Sequence, residues 1–343
     1  MADDRLTLKS IDDYLGPGEN RFFSRGYQRA EYDVRDIVID SGDGDAAGVR
    51  AQVSLSYPPG WSSKGGVDQR PHLSTVDALV LGVQMAEIHL ARVRSLGPAE
   101  RASAVLRKAV VRAGGAPQED LTGIVLSAVP VKSEDAGPAG RVRSTYDCVV
   151  GSLRVRYEIE HPVGTPTTAQ EKFGGPDEVL EQPASRFFGA GFKQRRHHIG
   201  DVEVDMGSLT ATAAVHFEPE DRVAARGIDG DRQPGVTVVD TFVVSLQLVQ
   251  VLLYELDSIR RADSRTLWMM RTVLTAPVDP PPLPVGPGQA QPAEAALTGR
   301  RVLDMRGGRW RSVDVRANYA GVEVRCSFAH ELPPGTVPAE ERP

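Results

Sequence analysis

Two acid–amide pairs carry the strongest chemical signal in the chain. Asp77 and Gln84 lie seven residues apart, and Asp240 and Gln247 repeat that spacing in a second apolar run. Seven residues is nearly two helical turns, so the members of each pair share a face. A carboxylate buried there without partners has its pKa raised, which suits a general base near neutrality. The Gln in otherwise apolar surroundings in both runs points to a polar slot along the helix. A helix cap or first-turn dipole partner is the other reading of each Asp, and the sequence alone leaves both open. His72, just ahead of the first run, completes the catalytic candidates.

A second group of candidates lies on strands, where alternation sorts the faces. Gln28, Ala30, Tyr32 and Val34 face inwards in one stretch, and the same phase sends Lys193, Arg195, His197 and Ile199 inwards in another. Burying an Arg and a His without partners is costly, so these positions predict a polar pocket; an exposed strand end is the alternative. Lys193, Arg195 and His197, with Arg25 near the turn, are the candidates for an anionic substrate. In the last strands, Leu153, Val155, Tyr157, Ile159 and His161 share one face, as do Val322, Val324, Cys326, Phe328 and His330. His161 and His330 are therefore further substrate-binding candidates, against the plainer reading of strand-end histidines bonded to backbone.

The elements that must position these groups occur twice. "RFFSRGYQRAEYDVRDIVID" at 21–40 returns as "RFFGAGFKQRRHHIGDVEVD" at 186–205. "VRAQVSLSYPPGW" (49–61) parallels "LTATAAVHFEPED" (209–221), and the helical run at 72–93 parallels 235–256. "GSLRVRYEIEH" (151–161) parallels "AGVEVRCSFAH" (320–330). Four blocks in one order, about 165 residues apart, mark an internal duplication of a whole domain. Each copy reads strand, strand, one long helix, then several strands. The helix is apolar nearly all round in copy two, so it belongs in a core. One buried helix wrapped by a curved antiparallel sheet is the hotdog architecture. The predicted class is α+β, a double hotdog: residues 1–163 the first repeat, 164–185 a linker and 186–332 the second. A Pro-rich loop is expected at 276–297 and a disordered tail at 333–343; the acidic "DSGDGDAAG" at 40–48 reads as a hairpin turn.

Bulk properties exclude several classes. With 41% hydrophobic and 25% charged residues the chain is of ordinary globular composition, and its net charge of −6 argues against a nucleic-acid partner. Two cysteines lack both a disulfide framework and metal-ligand spacing, which makes a reducing cytoplasm the default and predicts no metal. The acidic N-terminus lacks an apolar secretory core, and the longest apolar run is interrupted by Asp240, Gln247 and Gln250, so no membrane partner is expected. Phosphate-binding loops, dinucleotide glycine motifs, zinc-protease helices and serine-hydrolase elbows are absent from the sequence.

"SIDDYLGPGENRFFSRGYQ" (10–28) and "PHLSTVDALVLGVQ" (71–84) resemble the avirulence D family, enzymes associated with syringolide-type signals. The resemblance implies a β-ketoacyl unit, delivered as an acyl-carrier-protein thioester, joined to a small ketose or ketose phosphate. Ester formation followed by internal carbon–carbon condensation gives a butenolide-type product, chemistry similar to that of the A-factor biosynthesis enzymes. No cofactor is then expected, because a β-keto ester is already activated. On this reading Asp77 or Asp240 is the base, Gln84 or Gln247 orients the acyl carbonyl, and Arg195, Lys193 and Arg25 neutralise a phosphate. A double-hotdog dehydratase or thioesterase, and a non-catalytic acyl binder, are the alternatives; the His-Phe pair usual ahead of a dehydratase helix is missing. Either a monomer or a homodimer is compatible with two fused copies.

Overall fold

Capping boxes start both long helices. Ser74 and Thr237 are the N-caps, and each exchanges bonds with the Asp three residues on, Asp77 and Asp240. The computed structural model describes residues 5–40, 47–137, 140–168, 170–219, 224–264, 267–278, 289–305 and 307–338. The first copy runs β1 (Arg5–Ser10), α1 (Asp12–Leu15), β2 (Glu31–Ile39), β3 (Val49–Ser56), β4 (Ser63–Lys64) and β5 (Val67–Asp68). It continues with α2 (Thr75–Arg92), α3 (Pro98–Ala102), β6 (Val105–Arg112), β7 (Ile124–Asp135), β8 (Arg141–Val150) and β9 (Leu153–Pro162). After β10 (Glu171–Phe173), the second copy has β11 (Arg195–Asp205), β12 (Thr210–Pro219), α4 (Val238–Asp257) and β13 (Trp268–Thr275). It ends with β14 (Gln291–Met305), β15 (Gly308–Tyr319) and β16 (Val322–Glu331).

Among the described residues fourteen strands make one sheet, in the order β1-β11-β12-β14-β15-β16-β13-β6-β9-β8-β7-β3-β2-β10, and β4 and β5 make a small hairpin. Every pairing in the large sheet is antiparallel. The halves meet where β13 pairs β6, with Val273 opposite Val110. Outward from that seam the strands run β6-β9-β8-β7-β3-β2 on one side and β13-β16-β15-β14-β12-β11 on the other, the same order twice. α2 packs on β7, β8, β3, β9 and β6, and α4 on β14, β15, β12, β16 and β11. The fold is an α+β double hotdog. α4 is long and apolar enough to cross a membrane, but 94% of that window is buried inside the protein, consistent with a core helix.

The edges are exchanged between copies. β1, from the N-terminus, completes the second half by pairing with β11, Leu6 opposite Val204. β10, from the linker, completes the first half by pairing with β2, Lys172 opposite Val38. The segment expected to be a plain linker thus carries a strand of the first half. Two further expectations change. The repeated Arg-Phe-Phe stretches are tight turns rather than strand: Arg21 O accepts from Gly26 N and Arg186 O from Gly191 N, both at 3.0 Å. The strands begin only at Glu31 and Arg195. Residues 291–297, expected within a Pro-rich loop, are the start of β14, because their alternation buries Ala293, Ala295 and Leu297 on α4; 279–288 lie outside the described residues. The hairpin at 40–48 closes with Asp40 N donating to Gly48 O at 2.9 Å, with 41–46 outside the described residues. Of the tail, Pro333–Thr336 form a hydrogen-bonded turn, and 339–343 are outside the described residues.

Candidate functional site

Asp77 and Asp240 hold equivalent places at the helix starts, each 1% exposed, with different partners. Asp77 accepts from Ser74 N (2.8 Å), from Tyr32 Oη (2.8 Å) and from Tyr57 Oη (2.7 Å), all neutral donors. Burial first, then the Asp77 charge, pushes both tyrosine pKa values well up, so both remain donors. Asp240 accepts from Thr237 N (2.8 Å), Thr237 Oγ1 (2.7 Å) and Arg195 Nη1 (2.5 Å), and lies 3.0 Å from His197 Nε2. Burial raises its pKa, but the Arg195 charge and the His197 and Thr237 bonds outweigh that and hold it at about 2. The expectation of a carboxyl raised toward neutrality is thus reversed at Asp240: it is a locked anion with its acceptor sites taken.

Gln84 and Gln247 spend their amides on the opposite copy. Gln84 Nε2 donates to Phe188 O at 2.7 Å, and Gln247 Nε2 donates to Phe23 O at 3.0 Å. Each pins the other copy's Arg-Phe-Phe turn onto its helix, and that reciprocal bond accounts for the matched buried amides.

The basic residues of the second copy line the seam between the two turns. Arg195 is clamped between Phe187 and Phe217, 4.5 and 5.0 Å from the ring centres, and also donates to Gly235 O and Gln233. Lys193 donates to Ala30 O and lies 5.2 Å over Tyr32; burial lowers its pKa. Arg25 donates to Gln28 (3.1 Å) and to Arg195 O (3.2 Å). Lys193, Arg195, His197 and Arg25 therefore face neighbouring protein groups, and none lines the cavity described below. His161 makes strand-end bonds, with Nδ1 2.7 Å from Pro162 O and Nε2 2.8 Å from Ser144 Oγ. His330 is fully buried beside the Arg311–Asp257 ion pair (2.6 Å), and burial drives its pKa down to about 4.

A cavity of about 320 Å³ opens between the copies, where the start of α2 faces the later part of α4. Ser74, Thr75 and His72 reach it from one side, and Gln250, Leu267 and Met269 from the other. His72 is the one catalytic candidate in the wall; its Nδ1 is 3.1 Å from Arg70 O and its ring lies edge-on to Trp61. Asp77 sits one layer behind, bonded to Ser74 and Tyr57, and the Tyr57 ring packs tilted against Trp61, centroids 4.4 Å apart. Phe22, Phe23, Trp61, Trp268 and Trp310 give an aromatic wall, and Arg21, Lys64 and Arg261 bring positive charge to it. Lys64 Nζ donates to Ser264 Oγ at 3.1 Å, and burial, then Arg261, lowers its pKa to about 8. Burial likewise lowers Arg21 to about 10, with Asp12 opposing and Arg261 adding to the shift.

Sequence reasoning missed these residues for identifiable reasons. Arg21 was visible as the first matched residue of the repeat but not as a cavity wall. Trp61 closes a matched block but aligns with Asp221 in copy two. Lys64 and Gln69 stand between that block and α2, where the copies share no pattern, and Trp268 and Trp310 join the same wall from β13 and β15. Among the described residues no group of three or more His, Cys, Asp or Glu is placed to hold a metal.

Solved structures similar in outline include the 12:0-ACP thioesterase from Umbellularia californica (12% identity, 77% of this chain, 93% of that chain, TM-score 0.37). Others are a hot dog fold protein of unknown function from Alicyclobacillus acidocaldarius (11%, 86% and 96%, 0.36) and GphF Dehydratase 1 (14%, 86% and 97%, 0.36). These likenesses are to general architecture, and the fold assignment rests on the strand order above. None of the curated proteins matches the sequence. Residues 6–333 match the family model described as Pseudomonas avirulence D protein (AvrD), and the chain belongs to the avirulence D family.

Proposed function

We propose that the chain is a condensing acyltransferase, joining a β-ketoacyl unit from an acyl-carrier-protein thioester to a small ketose or ketose phosphate. The observation that carries the reading is the cavity at the seam: aromatic walls fit for an acyl chain, cations for an anionic head, and His72 and Ser74 in the same wall. In this proposal His72 takes the proton from the sugar hydroxyl. The oxygen then attacks the thioester carbon, the C–S bond breaks and the carrier thiol leaves with the proton. A second deprotonation, at the carbon between the two carbonyls, lets that carbon attack the sugar ketone and close the ring. The alkoxide takes up the proton, and loss of that hydroxyl with the remaining α-hydrogen as water gives the butenolide double bond. Asp77 acts as a positioning residue, through Ser74 and Tyr57, rather than as the base. Asp240 ties the second helix start to Arg195 and takes no part in proton transfer.

The test is incubation with a β-ketoacyl carrier-protein thioester, with and without a ketose phosphate, followed by mass spectrometry. Thioester loss that requires the sugar, with a product of the mass of the ketose phosphate plus the β-ketoacyl group less one hydrogen and one water, is the expected result. Sugar-independent hydrolysis or loss of water from the acyl chain would overturn transfer in favour of a thioesterase or dehydratase. In the same assay His72→Gln should lower turnover about 100-fold or more, the scale of a general base.

A further inference from the structure

The duplication supplies an internal comparison for the cavity. Each Arg-Phe-Phe turn lies on the other copy's helix: Arg186 of copy two reaches Glu87 of α2, and Arg21 of copy one lines the cavity together with Gln250 of α4. Three residues beyond the pinning glutamines, α2 carries Glu87 and α4 carries Gln250. In one half, Arg186 (1% exposed) places Nη1 3.1 Å from Glu87 Oε2 and donates from Nε to Glu181 O at 2.9 Å. That position is sealed: Arg186 bridges to Ala225, and a Cβ on Gly227 would sit 2.6 Å from Glu87 Oε1. In the other half the carboxylate is replaced by the neutral Gln250, which with Arg21 lines the cavity. Arg21 is 3% exposed and bonds through Nη2 to Asp12. Its Nε and Nη1 are buried without a hydrogen-bond partner among the described residues, as is Nε of Arg261 in the same wall. A buried guanidinium with two unmatched donors is costly, and its twin shows which group satisfies it.

We infer that the cavity is an oxyanion site in which a ligand's phosphate or carboxylate does for Arg21 what the Glu87 carboxylate does for Arg186, and that only this one of the two equivalent positions is open to ligand. Lys64 and Arg261 add positive charge to the wall, Glu331 is the one carboxylate in it, and the aromatic residues hold the ligand's apolar part. The inference names the head-group chemistry of the substrate and takes its catalytic meaning from the acyl-transfer reading; the binding claim stands or falls separately.

All three tryptophans of the chain, Trp61, Trp268 and Trp310, line the cavity, so intrinsic fluorescence of the full-length protein reports its occupancy. Titration with inorganic phosphate, and separately with octanoate, should give a saturable change. Saturation by phosphate alone assigns the head group to phosphate, and by octanoate alone to carboxylate. Gln250→Glu, which recreates the Arg186–Glu87 arrangement, should weaken that binding by about tenfold or more without lowering the melting temperature. Arg21→Gln should weaken it comparably, whereas Glu87→Gln should leave it unchanged. If Gln250→Glu binds both anions like the unaltered protein, or neither anion binds the unaltered protein, the inference is wrong. Sugar-dependent transfer without anion binding would sink this site and spare the transfer reading; Arg21-dependent binding without transfer would do the reverse.

Discussion

Replacing Asp240 with Asn removes the countercharge of Arg195, whose side chain is only 6% exposed. Truncating one partner of a buried ion pair costs about 3–5 kcal/mol, and urea unfolding should show a loss of that size for Asp240→Asn. Asp77→Asn strips only hydrogen bonds from neutral donors and should cost about 1–3 kcal/mol. Equal losses would show that Arg195 does not set the difference between the two sites. The acid limb of stability provides an independent check. Asp240 has a folded pKa of about 2, below an unfolded value of about 4, so its contribution is complete above the unfolded value and is lost as pH falls through the folded one. Asp240→Asn should flatten the decline between those two values, and an unchanged decline would contradict the assigned pairing. These contrasts explain what the sequence could show at this scale. Burial of Arg195, His197, Asp77 and both glutamines followed from alternation and helix spacing. Most of their partners did not, because Phe188 and Phe23 come from the other copy and Tyr32, Tyr57, Gln233 and Asp240 lie 20 to 45 residues away in sequence.

Along α2, Gly82 is where a strand side chain crosses the helix. Tyr157 Oη donates to Ala78 O at 2.7 Å, and a Cβ on Gly82 would lie 2.4 Å from that oxygen. In the alignment of the two copies Gly82 corresponds to Ser245 in α4 and Tyr157 to Cys326, so the second copy lacks the crossing tyrosine where its helix residue carries a Cβ. Gly82→Ala should therefore destabilise by about 1–3 kcal/mol through overpacking, even though Ala is the better helix former. Pairing it with Tyr157→Phe, which removes the clashing oxygen, should recover part of the loss in thermal unfolding; no recovery would place the strain elsewhere. The repeat's matched aspartates are explained at this scale as well. Asp36 and Asp201 both have positive φ, at 54° and 46°, where β2 and β11 slip register against their neighbours. Asp tolerates that conformation better than most residues, and each marks a bulge. The echo was legible as text. That it encodes a turn and a bulge was not, because its residues obey neither helical nor strand periodicity.

At the scale of the whole molecule, the exchanged edges decide whether the halves are separable. β1 opens the first copy yet pairs with β11, and β10, just ahead of the second copy, pairs with β2. Element order alone predicts two self-contained domains, since pairing partners across a duplication are interchangeable by sequence pattern; only the register of Leu6 with Val204 reveals the exchange. A half expressed alone would have its edge strand unpaired and its Arg-Phe-Phe turn without the helix on which Gln84 or Gln247 holds it. Exposed edges of this kind promote association. Residues 1–168 and 170–343 should therefore fold poorly or aggregate when made separately. Co-expressed, they should form a 1:1 complex held by both exchanged strands, both Gln bonds and the β6–β13 seam, with the cavity restored. Co-purification on a single tag, with tryptophan emission matching the intact chain, is the expected result. Stable, soluble monomers of each half that fail to associate would show that the exchange contributes little, and that the cavity between the copies is not a permanent feature of the molecule.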